Sequence, residues 1–110
     1  MDLKKKKCVP CEGGIEPMPE MEEERHIELV PGWSLDRHKI HKIKRDFQFR
    51  DFKEAITFVN KAADLAEEEG HHPDICIHYN QITMELFTHA ISGLHENDFI
   101  MAAKMNELYD

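Results

Sequence analysis

Residues 70–89 read Gly-His-His-Pro-Asp-Ile-Cys-Ile-His-Tyr-Asn-Gln-Ile-Thr-Met-Glu-Leu-Phe-Thr-His, and they decide how the rest of the chain is interpreted. Apolar residues alternate with polar ones before and after Asn80, which predicts two antiparallel strands joined by a turn at Asn80-Gln81. Pro73 pushes His72 into an extended backbone, so the preceding helix must end before it. The stretch therefore predicts a helix-to-strand junction followed by a β-hairpin.

The segment upstream of this stretch repeats the same order of elements. Alternating apolar residues from Trp33 and again from Ile43 predict a first hairpin that turns near His38. Asp51 is a good N-cap with Glu54 three residues later, and Gly70 is typical of the position after a helix. These signals predict a long helix between them, with an apolar face formed by Phe52, Ile56, Phe58, Val59, Ala62, Ala63 and Ala66.

Shorter helices are predicted at the two ends of the domain. Pro19 followed by acidic residues favours a short helix that ends before Pro31-Gly32. A last helix is expected from about Asp98, with His95 as a poor N-cap that costs about 1 kcal/mol. The order α-β-β-α-β-β-α predicts an α+β fold, a four-stranded antiparallel sheet with three helices on one face.

Length and charge restrict the possible functions. A chain of 110 residues fits one domain, and we expect a flexible N-terminal leader over residues 1–18 and a folded domain over 19–110. Acidic residues outnumber basic ones by 22 to 14, which disfavours direct binding to nucleic acid. The basic cluster at 4–7 is too polar for a secretion signal, and no apolar run is long enough for a membrane span. We expect a cytoplasmic protein.

The three cysteines do not suggest a disulfide framework. Cys8-x-x-Cys11 has the spacing of half a zinc or iron site, but no second pair follows at a suitable distance. The alternative is a pair of half-buried thiols in the leader. Cys76 lies within a predicted strand, and an odd number of thiols fits a reducing compartment.

Histidine residues are the candidates for chemistry. His71, His72 and His89 flank the second hairpin, and imidazole is both acid and base near neutral pH. The alternative to proton transfer is a metal site built from the same residues, although adjacent histidines on an extended segment tend to point apart. The other histidines are expected at the surface: His26, His38, His41, His78 and His95.

The chain resembles the pterin-4a-carbinolamine dehydratase family. The family's pattern is matched by Glu67, His71-His72-Pro73, Tyr79-Asn80, Thr88-His89, Gly93-Leu94 and Asp98. The resemblance covers roughly residues 20 to 105. Three positions depart from the animal pattern, since Gly70 replaces an acidic residue, Ile75 replaces a tryptophan and His95 stands where a Thr or Ser N-cap is usual.

This resemblance implies dehydration of a 4a-hydroxytetrahydropterin without any metal, nucleotide or redox cofactor. It implies that His71 and His89 are the acid and base, and that His72 orients the substrate and has a share in catalysis. Glu67 and Asp98 are expected to hold an imidazole in one tautomer, with further support from Pro73, Tyr79 and Thr88. An aromatic amino acid hydroxylase is an expected partner, and a non-catalytic dimerisation protein of the same fold is the alternative function.

Self-association is also expected. Open edge strands need cover, and the predicted last helix carries Met101, Met105 and Leu108 as a second apolar strip. The sequence therefore predicts a homodimer or a homotetramer.

Overall fold

The computed structural model describes residues 2–10 and 15–110, and its elements follow the predicted order. The helices are α1 (Glu20–Ile27), α2 (Phe52–Glu69) and α3 (Glu96–Tyr109). The strands are β1 (Ser34–Asp36), β2 (Lys42–Gln48), β3 (Asp74–His78) and β4 (Gln81–Leu86). Two short 3₁₀ helices are also present, Leu3–Lys5 and His89–Ile91.

The strands form one antiparallel sheet in the order β1-β2-β4-β3. Ile43 pairs with Leu86 and Ile77 pairs with Ile82, so the apolar positions of neighbouring strands share one face. Ile82, Met84 and Leu86 are fully buried on this face and pack in the core with the helices. The α+β prediction is confirmed.

Helix α2 begins and ends where its capping residues predict. The Asp51 carboxylate accepts a hydrogen bond from the Glu54 amide at 2.9 Å. Gly70 adopts a φ of 69°, a left-handed conformation that favours glycine, and its amide bonds to the Ala66 carbonyl. The helix therefore stops immediately before His71 and delivers the histidine pair to the start of β3.

The turn of the second hairpin lies one residue earlier than predicted. Its two central residues are Tyr79 and Asn80, because His78 pairs with Gln81. Tyr79 has a φ of 54°, as two-residue hairpin turns require at their first position. The Asn80 side-chain amide donates to the Phe49 carbonyl at 3.1 Å and ties this turn to the end of β2.

His95 is a better helix cap than predicted. Its Nδ1 accepts a hydrogen bond from the Asn97 amide at 3.0 Å, and the Asp98 carboxylate accepts one from the His95 amide at 3.0 Å. This reciprocal pair is a capping box with imidazole in place of a hydroxyl. The expected loss of capping energy is wrong, and α3 begins at Glu96 rather than Asp98.

The predicted second apolar strip on α3 is not exposed. Met101 and Met105 are fully buried, and Leu108 packs at the edge of the core. These side chains of α3 therefore do not form an exposed surface for self-association. None of the helices in the described part of the chain is both long and apolar enough to span a bilayer.

Two of the histidines expected at the surface make interior contacts. His41 Nδ1 lies 2.9 Å from the carboxylate of Glu23, which is buried and also accepts from Arg37. His26 packs its ring against Phe99 with centroids 5.1 Å apart. These contacts fix α1 against the first hairpin and against α3.

Residues 2–10 pack on the domain. Leu3 is buried in the core, and its 3₁₀ helix lies against α3. This segment thus contributes more to the core than its composition indicated. The division of the chain at residues 18 and 19 stays a prediction.

Candidate active site

An open cleft of about 300 Å³ lies where α2 ends, β3 begins, β4 ends and α3 begins. The helix stop at Gly70 and the strand start at Asp74 place both adjacent histidines at this junction. The segment after β4 brings His89 to the same cleft. Its lining residues are Val9, Gly70, His71, His72, Pro73, Asp74, Phe87, Thr88, His89, Ala90 and Asn97.

A buried carboxylate holds the first histidine of the pair. His71 Nε2 lies 2.6 Å from Oδ1 of Asp98, and the Asp98 side chain is fully buried. The other carboxylate oxygen accepts hydrogen bonds from the Thr88 hydroxyl at 2.9 Å and from the His95 amide at 3.0 Å. A buried charge needs such donors to offset its desolvation.

This arrangement fixes the tautomer of His71. A carboxylate can only accept hydrogen bonds, so Nε2 of His71 carries the proton that it donates to Asp98. The unprotonated nitrogen of the neutral ring is then Nδ1. The neutral ring of His71 therefore leaves Nδ1 without a proton, while Nε2 is anchored by Asp98 to the start of α3.

His72 pairs with a different carboxylate. Its Nε2 contacts Oε2 of Glu67 in the last turn of α2, and both side chains are exposed. Because the rings of His71 and His72 bond to separate carboxylates, they extend in different directions from adjacent positions.

His89 begins the short 3₁₀ helix after β4 and is exposed. Its ring lies on Phe87, with centroids 4.2 Å apart and planes inclined at 44°. This contact positions an otherwise solvent-accessible imidazole at the cleft.

The structure brings most of the predicted site residues together. Pro73 and Thr88 line the cleft with the histidines, and Asp98 and Glu67 hold two of the rings. Tyr79 does not join them, because it lies in the turn at the opposite end of β3.

Six lining residues were not among the predicted site residues: Val9, Gly70, Asp74, Phe87, Ala90 and Asn97. Phe87 alternates with the buried positions of β4, so its outward face was predictable but its contact with His89 was not. Val9 and Asn97 meet across 88 residues of sequence. Val9 lies within the Cys8-x-x-Cys11 spacing, but that spacing does not indicate a contact with Asn97. A contact at such a separation leaves no local signal.

No three His, Cys, Asp or Glu side chains within residues 2–10 and 15–110 converge as metal ligands do. The hypothesis of a metal site at Cys8 and Cys11 is untested, since Cys11 lies outside the described residues.

The family model described as "Pterin 4 alpha carbinolamine dehydratase" matches residues 16–108, a range that contains every predicted site residue. The chain belongs to the pterin-4a-carbinolamine dehydratase family. The resemblance inferred from the histidine motif is thereby confirmed.

Bacterial relatives match nearly the whole chain. A protein of Rubrobacter xylanophilus named "Putative pterin-4-alpha-carbinolamine dehydratase" is 46% identical over 107 residues, covering 97% of this chain and 98% of the relative. A relative with the same name from Methylococcus capsulatus is 50% identical over 106 residues, covering 96% and 92%. Both alignments extend beyond the family model toward the N-terminus.

Solved structures of related proteins share the fold. A protein of Brucella melitensis described as a transcriptional coactivator/pterin dehydratase superposes with a TM-score of 0.81 at 34% identity, covering 86% of this chain and 100% of that one. A pterin dehydratase-like RuBisCO assembly factor superposes with a TM-score of 0.62 at 23% identity, covering 71% and 89%. The second likeness shows the fold alone. The pterin-4a-carbinolamine dehydratase fold is thus found in proteins with different described roles.

Proposed function

We propose that this protein is a hydro-lyase that dehydrates 4a-hydroxytetrahydropterin to quinonoid dihydropterin. The observation that carries the proposal is the cleft itself, in which His71, anchored by buried Asp98, is joined by His72 and His89. The reaction requires a proton acceptor and a proton donor close to the same substrate molecule, and imidazoles supply both near neutral pH.

The chemistry moves two protons and no electrons to or from the protein. The substrate carries a hydroxyl on C4a and a hydrogen on the neighbouring N5. Protonation of the hydroxyl oxygen lets the C4a–O bond break and releases water. Removal of the N5 proton leaves an electron pair that forms the C4a=N5 double bond of the product. Positioned proton transfer contributes about 10²–10⁴-fold to such a rate.

His71 is assigned as the base. Its Nε2 proton is committed to Asp98, so Nδ1 is the nitrogen that takes the proton from N5. As the ring becomes a cation, the buried Asp98 carboxylate stabilises the new charge at 2.6 Å.

His89 is assigned as the acid that protonates the leaving hydroxyl. It is exposed, so it exchanges protons with water between turnovers, and its contact with Phe87 keeps the ring at the cleft. His72 is assigned to orient the substrate, with Glu67 fixing its ring.

The proposed role in the cell follows from this reaction. The substrate is the product of oxygen insertion by an aromatic amino acid hydroxylase, so the protein returns the tetrahydropterin cofactor of such an enzyme to its cycle. We propose that it acts in the cytoplasm, as a homodimer or homotetramer and with a hydroxylase as a partner.

The test is a direct assay with freshly generated 4a-hydroxytetrahydropterin. The loss of its absorbance is followed by stopped flow with and without the purified protein. The proposal predicts acceleration well above spontaneous dehydration that scales with protein concentration. An unchanged rate at micromolar protein contradicts it.

A second candidate is an interaction protein of the same fold. The Brucella melitensis relative, at 34% identity, is described as a coactivator as well as a dehydratase. The retained histidines and Asp98 favour catalysis, but they do not conflict with a second role on another surface. Specific binding to a partner by a protein that fails the dehydration assay would favour this candidate.

A further inference from the structure

The N-terminal segment reaches the cleft through one side chain. Val9 lines the same cavity as the three histidines, although it lies 62 residues before His71 in the sequence. Its side chain is 56% exposed, so it contributes little to the core. An aliphatic side chain beside a polar cleft provides an apolar wall for a flat ligand.

Asn97 clamps the backbone of this residue. Its Oδ1 accepts a hydrogen bond from the Val9 amide at 3.0 Å, and its Nδ2 donates to the Val9 carbonyl at 2.6 Å. The side-chain amide of Asn97 thus forms hydrogen bonds with both the N–H and the C=O of Val9, as the backbone of a neighbouring strand would. Asn97 is itself buried and precedes Asp98, so one turn of α3 holds both Val9 and His71.

Cys8 provides a second attachment next to the clamp. Its amide donates to Oε1 of Glu69 at 2.8 Å, and Oε2 of Glu69 accepts from Lys104 at 2.7 Å. Its thiol donates to the Asn97 carbonyl at 3.6 Å. Glu69 is the last residue of α2, directly before the Gly70-His71-His72 junction. The segment is therefore fastened to both helices whose carboxylates hold the histidine rings, α2 through Glu67 and α3 through Asp98.

We propose that Val9 is a substrate-contacting residue that forms one wall of the pterin cleft, and that Asn97 is a positioning residue that acts through it. This inference rests on the proposed function. The size of the side chain at position 9 determines how much of the cleft the pterin can occupy, while the histidines carry out proton transfer. Changes at position 9 therefore alter substrate binding and KM more than kcat.

The first arm of the test measures binding of 7,8-dihydrobiopterin and the kinetics of dehydration in full-length variants. Val9→Ala removes two methyl contacts and is expected to weaken binding by about threefold to tenfold. Val9→Trp fills part of the cleft and is expected to raise KM at least tenfold. In both variants kcat stays within threefold of wild type. Ile15→Ala and Ile15→Trp are matched controls, because Ile15 is also exposed but does not line the cleft.

The second arm tests the clamp by a double-mutant cycle. Asn97→Ala is expected to raise KM, and Val9→Ala added to it should have little further effect, since Asn97 acts through Val9. Asn97→Asp keeps the acceptor for the Val9 amide but loses the donor, so it should be intermediate. If Asn97→Ala does not fold, Asn97→Asp combined with Val9→Ala completes the cycle.

The outcomes separate the two proposals. A wild-type protein that binds 7,8-dihydrobiopterin and turns over, with Val9 variants indistinguishable from the Ile15 controls, overturns this inference and leaves the proposed function intact. Additive effects of the Asn97 and Val9 changes overturn the positioning role. A wild-type protein that neither binds the pterin nor dehydrates the substrate overturns the proposed function and this inference with it.

Discussion

His71 Nε2 lies 2.6 Å from Oδ1 of Asp98, and the carboxylate is fully buried beneath the cleft. The same carboxylate also accepts from Thr88 and caps α3 through the His95 amide. One side chain thus joins the end of β4, the start of α3 and the proposed catalytic base. Because the fold fixes the position of the Asp98 carboxylate, it also determines which nitrogen of His71 carries the proton.

Asp98→Asn is expected to reduce kcat by at least about a hundredfold while leaving the fold intact. The asparagine oxygen can still accept from Thr88 and His95, but its NH₂ group would donate to Nε2 of His71. The ring would then carry its proton on Nδ1 and lose its basic nitrogen. Stopped-flow kinetics measure the rate, and ¹⁵N NMR of the imidazole reports the tautomer. An unchanged tautomer with near-native kcat contradicts the assignment of His71 as an oriented base.

Glu69→Gln is expected to lower the free energy of unfolding by about 2 kcal/mol at neutral pH. Burial disfavours the charge on Glu69, but hydrogen bonds from Lys104 and the Cys8 amide outweigh it, so its pKa lies below the ordinary value. The ionised group therefore stabilises the fold above its unfolded pKa of about 4.3, and this stabilisation is lost as pH falls through the lower folded value. Urea unfolding across pH measures the difference.

Glu68→Gln is the matched control, because Glu68 is exposed one residue earlier on the same helix. The difference between wild type and Glu69→Gln should shrink as the pH falls below about 4. A constant difference from pH 7 to pH 3 would mean that the charge of Glu69 does not contribute.

Cys8 is expected to react slowly with iodoacetamide at pH 8. Burial and the nearby Glu69 raise the pKa of its thiol to about 12, and the thiolate is the reactive species. Cys76 is exposed on β3 and serves as an internal comparison. Peptide mass spectrometry after timed alkylation should find Cys76 modified well before Cys8. Equal rates would show that residues 2–10 detach from the domain in solution.

Light scattering at micromolar concentration is expected to report a mass of at least twice 12.9 kDa. Although α3 buries its apolar strip, β3 is an outer strand and its Ile77 is 45% exposed on the face that it shares with Ile82. Pairing of such edges between two copies would cover them. Ile77→Lys should then reduce the mass, whereas Leu29→Lys, at a similarly exposed position that follows α1 and lies outside the sheet, should not. A stable, active monomer contradicts the prediction.

Capping residues and the alternation of apolar residues predicted the fold well, because they mark where individual helices and strands begin and end. Asp51 and Gly70 cap α2 as their chemistry requires, and the alternation from Ile82 to Leu86 gave the buried face of β4. The hairpin turn was misplaced by one residue because tyrosine at a positive φ is uncommon. His95 was underestimated as a cap because an imidazole seldom replaces a hydroxyl there.

The site was predictable only in part, for a physical reason. The histidines and Asp98 belong to a motif of defined residues, and the structure brings them together. Tyr79 shares the motif but lies at the far end of β3, where a strand of five residues separates it from the cleft. Val9 and Asn97 come into contact only once the chain has folded, so no pattern in the sequence marks their contact.

The most direct test of the account compares the dehydration rates of His71→Ala, His89→Ala and His78→Ala with wild type in one stopped-flow experiment. His78 is an exposed residue of β3 outside the cleft, so its replacement controls for loss of an imidazole. We expect that His71→Ala and His89→Ala each lower kcat by at least about tenfold and that His78→Ala does not. Near-native turnover in both His71→Ala and His89→Ala would contradict the central claim that these two residues transfer the protons.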